Sequence, residues 1–284
     1  MRRRLAPYLL VLPGGLWLLV FFVVPMVAMF NVSLETGSLE TGFRQTFDWG
    51  NYSSMIDQYH VQLLRSLRYG LVTTALTVVL AYPMAYWIAF RGGRHKSTYL
   101  FLTLLPFFVT FVLRTLSWNF LLADNGIVLG HLKSWGLLPE NFHILATSYA
   151  VIGGLVYNYL PFMVLPIYVA LERIDPALIE AASDLSASRR EIFTHIVLPL
   201  SVPGVFAGVI LTFVPVASDY VNAQILGGTG QYMVGNVIET LYLTNSQYPE
   251  ASALSSILLA ALLIGVFVYG KVLGTRDLMD ASAG

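Results

Sequence analysis

Apolar residues in this chain come in long unbroken runs rather than in the narrow stripes of a soluble helix. Six runs stand out, at approximately 8–30, 64–90, 98–122, 146–171, 201–222 and 251–273. Each is near the roughly 20 residues that a helix needs to cross about 30 Å of hydrocarbon. Between them lie polar or turn-rich connections at 31–63, 91–97, 123–145, 172–200 and 223–250. Backbone groups in contact with lipid must be paired within their own segment. The expected fold is therefore all-α, a polytopic membrane protein with six transmembrane helices. Alternating segments of about ten residues, the mark of a transmembrane β-barrel, are absent.

Composition agrees with that pattern. Of 284 residues, 56% are hydrophobic and 11% charged, where a soluble domain has about 45–50% and about 25%. Formal net charge is zero, so no basic excess points to nucleic acid. Cysteine is absent, which removes disulfides, thiolate metal sites and a cysteine nucleophile. The histidines at 60, 95, 131, 143 and 195 form no i, i+4 pair for a metal. No G-x-S-x-G occurs, and no Ser/His/Asp set stands out. The chain is expected to have no catalytic residue and to bind no cofactor or metal itself. Its start, MRRR before an apolar run of about 26 residues, exceeds a signal peptide's h-region of about 7–15 residues and reads as a retained first span.

Lysine and arginine set the expected orientation. The N-terminus, 91–97, 172–200 and the C-terminus share one side, with eleven of the sixteen basic residues; the other side holds Arg44, Arg65, Arg68 and Lys133. The richer side is expected to be cytoplasmic, and both termini with it. Along the chain this gives a first helix and outer loop over 1–60, a transmembrane domain over 61–274 and a short cytoplasmic tail over 275–284. Prolines recur in or beside the spans, at 13, 25, 83, 106, 161, 166, 203 and 215. Each removes a helical hydrogen bond and favours a kink. The pentapeptide SLETG occurs twice in succession over 33–42, which reads as a local loop expansion rather than a repeat architecture.

The connection 172–200 departs from the rest in charge. EAASDLSASRREIFTHIVLP, residues 180–199, carries Glu180, Asp184, Arg189, Arg190 and Glu191. Asp175-Pro176 is a helix start, an N-cap acceptor followed by a residue with pre-set φ. Ser188 and Glu191 have the S-x-x-E spacing of a capping box, which starts a second short helix. The first helix can place Leu178, Ala181, Ala182 and Leu185 on one face, with Glu180 and Asp184 at its border. A small apolar surface with an acidic edge, outside the spans, reads as a docking element.

Glu180-Ala181-Ala182, three residues, Ser186, nine residues, then Ile196-Val197-Leu198-Pro199 resembles the EAA motif of ABC importer permeases, E-A-A-x3-G-x9-I-x-L-P. Ser186 stands where that motif has Gly. Ser188 can start the second helix without a left-handed turn there; if the Ser188–Glu191 cap sets the bend, Ser186→Gly is expected to be nearly neutral. The resemblance covers essentially the whole chain and implies a type I importer permease fold (MetI-like). It also implies a coupling loop seated on a separate ATPase, with Leu178, Glu180, Ala181, Ala182, Asp184, Leu185, Ser186, Ile196, Leu198 and Pro199 as its contact residues. The implied partners are a second permease subunit, two ATP-binding subunits that hold ATP and Mg, an extracytoplasmic binding protein and the lipid bilayer. The chain has no phosphate loop of its own. DYVNAQILGG, residues 219–228, is similar to the spermidine/putrescine permeases in particular; permeases for iron, thiamine, sulfate and molybdate share much of the pattern. A secondary transporter working without an ATPase is the reading from another class.

Two charges fall within the apolar runs. Counted along straight helices, Asp219 lies about 27 Å and Arg114 about 24 Å from the cytosolic side. A charge near the bilayer centre costs about 2.5–3.5 kcal/mol, so each is expected to face protein or water. Two arrangements satisfy this. Either Asp219 and Arg114 pair, or Asp219 meets a cationic solute on a path shared with Tyr220, Asn222, Tyr157, Asn158, Tyr159 and Arg114.

Overall fold

The computed structural model describes residues 12–280, with side chains as far as Lys271. The arginines at 2–4, the first residues of the 8–30 run and the last four residues of the expected tail lie outside the described residues. Helices dominate: α1 (Leu12–Val32), α2 (Gly50–Arg91), α3 (Lys96–Leu104), α4 (Phe111–Leu122), α5 (Ile127–Ser134), α6 (Ser148–Glu172), α7 (Pro176–Asp184), α8 (Arg189–Ala217), α9 (Val221–Leu226), α10 (Val234–Glu239) and α11 (Tyr248–Asp280). The described residues divide into two compact units, 12–60 with 237–261 and 61–236 with 262–280.

Among the described residues five helices are long and apolar enough to cross a membrane, and a sixth span results if one bent pair counts as one. That pair is the expected third span. It breaks at Val109 and Thr110, whose backbone is extended, and the segments on either side meet at 89°. Pro106 lies in the 3-10 turn just before the break. A straight-helix depth for Arg114 therefore does not hold. The second span also differs from expectation. Residues 50–63 read as loop, yet they are the first turns of a 42-residue helix, about 63 Å long. Asp48 starts it by accepting the Gly50 amide (2.7 Å). The fifth span ends at Ala217 rather than at 222, and Asp219 lies in the turn that follows.

Proline shapes two other helices in a milder way. The π turns Leu19–Val23 and Phe193–Val197 each close just upstream of a proline, Pro25 and Pro199. A proline ring clashes with the carbonyl four residues back, and a wider turn relieves the clash without ending the helix.

In the first unit a two-stranded hairpin, β1 (Glu35–Ser38) and β2 (Gly42–Gln45), follows α1 with Thr36 opposite Arg44. Asn51 donates to the Ser33 and Glu35 carbonyls (3.0 and 2.9 Å), tying the hairpin to the start of α2. In the second unit α8 packs closely along α6. A Cβ at Gly204 would sit 2.5 Å from the Pro166 carbonyl, and one at Gly208 2.5 Å from Met163 Sδ. Glycines four apart let two membrane helices approach without a side chain between them. One core cluster gathers Met163, Val164, Ile167, Leu171 and Val197; another gathers Tyr69, Val151, Leu155, Tyr159, Val216 and Leu226. Large apolar residues elsewhere on the spans, such as Trp17, Phe21, Leu71 and Phe267, are more than half exposed. Lipid or neighbouring subunits cover such surface in a membrane.

Candidate functional site

Two regions of the second unit contain the residues singled out in the sequence. The connection between α6 and α8 folds through local hydrogen bonds. Asp175 caps α7 by accepting the Ala177 amide (2.9 Å), and Pro176 occupies the first helical position. The capping box closes reciprocally. The Ser188 amide donates to Glu191 Oε2 (2.7 Å), and the Glu191 amide donates to Ser188 Oγ (3.3 Å).

Between the two caps the chain reverses at Ser186, whose φ is +64°. The Ala187 amide reaches the Ala182 carbonyl (3.0 Å) and the Ser186 amide the Ser183 carbonyl (2.9 Å). That pair of bonds is a Schellman motif, with Ser186 at the position glycine usually fills. The expectation of a bend set by the Ser188 cap alone is thus corrected. A left-handed residue is present, and Ser186 adopts it despite its Cβ because two otherwise unpaired carbonyls of α7 are satisfied there.

On α7, Leu178 and Leu185 are 49% and 85% exposed, and Ala181, Glu180 and Asp184 are exposed with them. Ala182 departs from the expected face. It is half-buried, on the side where Ile179 packs against the core with Ile192 and Phe193. At the start of α8, Val197 is buried, Ile196 is half-buried, and Leu198 and Pro199 are exposed.

The second region joins α4, α6 and the turn before α9. Asn158 donates to Thr115 Oγ1 and to Asn222 Oδ1 (both 3.1 Å). Asn222 in turn donates to Asp219, from its amide to Oδ1 (2.8 Å) and from Nδ2 to Oδ2 (3.2 Å). Tyr159 donates its hydroxyl to Asp219 Oδ2 (3.3 Å). Asp219 thus starts α9 as a cap and anchors a fully buried polar chain. Thr115, which the sequence reading passed over, is its far end; its place beside Arg114 was the available signal.

Arg114 belongs to a different arrangement. No ion pair joins it to Asp219; Lys96–Glu172 (3.0 Å) and Lys133–Asp124 (2.9 Å) are ion pairs elsewhere in the chain. Its guanidinium lies over the rings of Phe107 and Phe111, at 4.9 and 5.7 Å. Phe111, one helical turn before it, was legible from spacing, whereas Phe107 lies across the break. Of the two arrangements left open for Asp219 and Arg114, the pair is therefore not formed. Asp219 already has donors on both oxygens, and the 89° bend sets the course of α4.

A cavity of about 660 Å³ opens beside these groups, lined by Phe107, Phe111, Arg114, Asn158, Tyr159, Phe162 and residues of α8 from Ile210 to Pro215. Asp219 and Asn222 do not line it; hydrogen bonds connect them to the residues that do. Tyr157 packs on Trp118 (5.4 Å). Tyr220 is 42% exposed and contributes its carbonyl to Asn236 Nδ2 (2.8 Å).

Comparison with known proteins places this architecture. The chain is 34% identical to the spermidine/putrescine transport system permease protein PotB of Haemophilus influenzae, over 89% of each chain. It is 32% identical to PotB of Escherichia coli K12, covering 90% of this chain and 93% of that one. The inner membrane ABC transporter permease protein YdcU of E. coli K12 is 30% identical over 87% of this chain and 80% of its own length. Among solved structures, a bacterial ABC transporter involved in the import of the acidic polysaccharide alginate aligns over 97% of both chains with TM-score 0.74 and 19% identity. The MetNI methionine ABC transporter in an inward-facing conformation aligns over 77% of this chain and 94% of that chain with TM-score 0.56 and 17% identity. The family described as binding-protein-dependent transport system inner membrane component matches residues 7–273, and this chain belongs to it: a multi-pass permease subunit of the inner membrane.

Proposed function

We propose that the chain is one of two different permease subunits of an ATP-driven importer for polyamines such as spermidine and putrescine, with the 172–200 connection as its coupling loop. The polyamine reading is supported by the relatives named above. Leu185 is the observation that carries the coupling reading. A leucine 85% exposed, on a capped bend in the most charged connection, is an apolar knob with no partner in its own chain. With Leu178 and Ala181 it offers a small apolar face bordered by Glu180 and Asp184, suited to a cleft in a cytosolic ATPase. ATP and Mg belong to that partner, and a binding protein on the opposite side delivers the solute. In this arrangement ATP-driven closure of the two ATPases moves α7, and α8 carries the movement into the membrane because the two helices share the 185–188 bend.

The test is reconstitution of the complex in proteoliposomes with labelled spermidine. Wild-type complex is expected to accumulate spermidine only with ATP inside the compartment that holds the ATPase. Glu180→Lys is expected to leave the chain inserted while reducing uptake at least about tenfold, the effect of a wrong-signed contact worth about 1.4 kcal/mol or more. Normal uptake by that variant would remove the coupling assignment, and transport without ATP would remove the importer reading.

A further inference from the structure

The cavity beside α4 holds a cation without an anion. Arg114 is 7% exposed, and its Nε and Nη1 atoms have no hydrogen-bond partner among the described residues. The faces of Phe107 and Phe111 attract the guanidinium, yet ring contacts leave its N–H donors unused. Asn158 Oδ1, in the same wall, is also unpartnered. Asp219 forms no ion pair with Arg114; its oxygens accept from Tyr159 and Asn222. An arginine within a membrane segment faces protein or water and finds an acceptor. The about 660 Å³ cavity has room for a side chain entering from another molecule.

We propose that in the assembled transporter an acidic side chain of the second permease subunit enters this cavity and pairs with Arg114. The source of the anion rests on the polyamine reading. A polycation carries no acceptor for a guanidinium and is repelled by it, so the carboxylate comes from protein. A second copy of this chain is poorly placed to supply it. Within the six apolar runs the one carboxylate is Asp219, which lies in the turn after α8, buried and already bonded; Asp57 and Glu250 lie outside those runs, in the first turns of α2 and α11. A different permease with an Asp or Glu within its spans fits the cavity, and the pair then selects that partner over a second copy.

The experiment uses the full complex, purified through a tag on this chain, with the ratio of second permease recovered as the readout. Arg114→Lys is expected to retain the second permease. Arg114→Gln and Arg114→Glu are expected to weaken its retention, the latter by about thirtyfold or more. Each acidic residue in the partner's spans is then changed to Lys in the Arg114→Glu background, and one exchange is expected to restore the ratio. That rescue separates a lost pair from a misfolded chain. Retention of the second permease by Arg114→Glu, absence of rescue by every exchange, or a functional complex containing two copies of this chain would each overturn the proposal. So would an Arg114→Gln complex that assembles normally but loses ATPase stimulation by a solute bearing a carboxylate, because the anion would then be the solute's. Failure of the polyamine reading shows separately, as a wild-type complex that assembles but gives no ATPase stimulation by spermidine.

Discussion

The 172–200 connection and the buried polar chain are both built from charged and hydrogen-bonding residues, but they are held in place differently. In the loop, the shaping bonds join residues no more than five apart, as in Ala187 to Ala182 and Ser188 to Glu191. Its side chains are mostly exposed, and water competes with each bond. In the buried chain three bonds join residues 43, 60 and 64 apart, beside the local bonds from Asn222 to Asp219, and burial makes a lost partner harder for water to replace. The same residue types are consequently cheap to alter in one place and costly in the other. Local bonds also survive as a pattern in sequence, whereas bonds between distant segments leave only isolated polar residues in apolar runs.

Substitutions in the two regions sharpen this contrast. The largest effect is expected for Asn222→Ala, which removes two side-chain donations to Asp219 and the acceptor for Asn158. Leaving a buried carboxylate and amide short of partners is expected to cost about 3 kcal/mol, read as a lowered thermal midpoint of the purified protein in detergent. A midpoint unchanged from wild type would mean that water reaches this cluster and that the contrast is false.

Ser188→Ala is expected to cost less, about 1–2 kcal/mol, and only locally, because one half of an exposed capping box is lost. Hydrogen exchange of the Ile192 and Glu191 amides should speed up while α6 and the rest of α8 keep their protection. Global destabilisation equal to that of Asn222→Ala would place the loop in the same cooperative unit as the core.

Ser186→Gly has the smallest expected effect, and its sign is opposite. A glycine relieves the Cβ strain at φ +64° and is expected to stabilise the bend by up to about 1 kcal/mol. Slower exchange of the Ala187 amide, which closes the Schellman motif, is the measurement. Faster exchange would show that the serine side chain, not the backbone turn, holds the loop.

These regions also divide in how much of each could be read from the amino-acid order. Asp175-Pro176 and the Ser188–Glu191 box were each legible because every partner lies within a turn or two, whereas the EAA spacing was legible only as a resemblance to a known family. Ser186 was misread because its left-handed φ is imposed by carbonyls that need closing, not by a residue preference. The depths counted for Arg114 and Asp219, which left a pair open as one of two arrangements, fail for a second reason. Residue counting assumes straight helices, and the break at Val109–Thr110 redirects α4.

The SLETG duplication draws the same line with identical sequence on both sides. In the first copy Ser33 is fully buried, bonded to the Phe30 carbonyl (2.7 Å) and the Tyr52 hydroxyl (2.6 Å), and Glu35 begins β1. In the second copy Ser38 is exposed, its side chain engages Thr41, and the pentapeptide forms the hairpin turn. Five identical residues have identical intrinsic preferences, so those preferences cannot choose between strand and turn. The sequence alone determined where apolar runs are long enough to span, which connection concentrates charge and where its two short helices start, because hydropathy and capping act over a few neighbouring residues. The tertiary structure alone decided which copy becomes strand, where the third span bends and which acceptors reach Asp219, because those outcomes depend on atoms that only folding brings together.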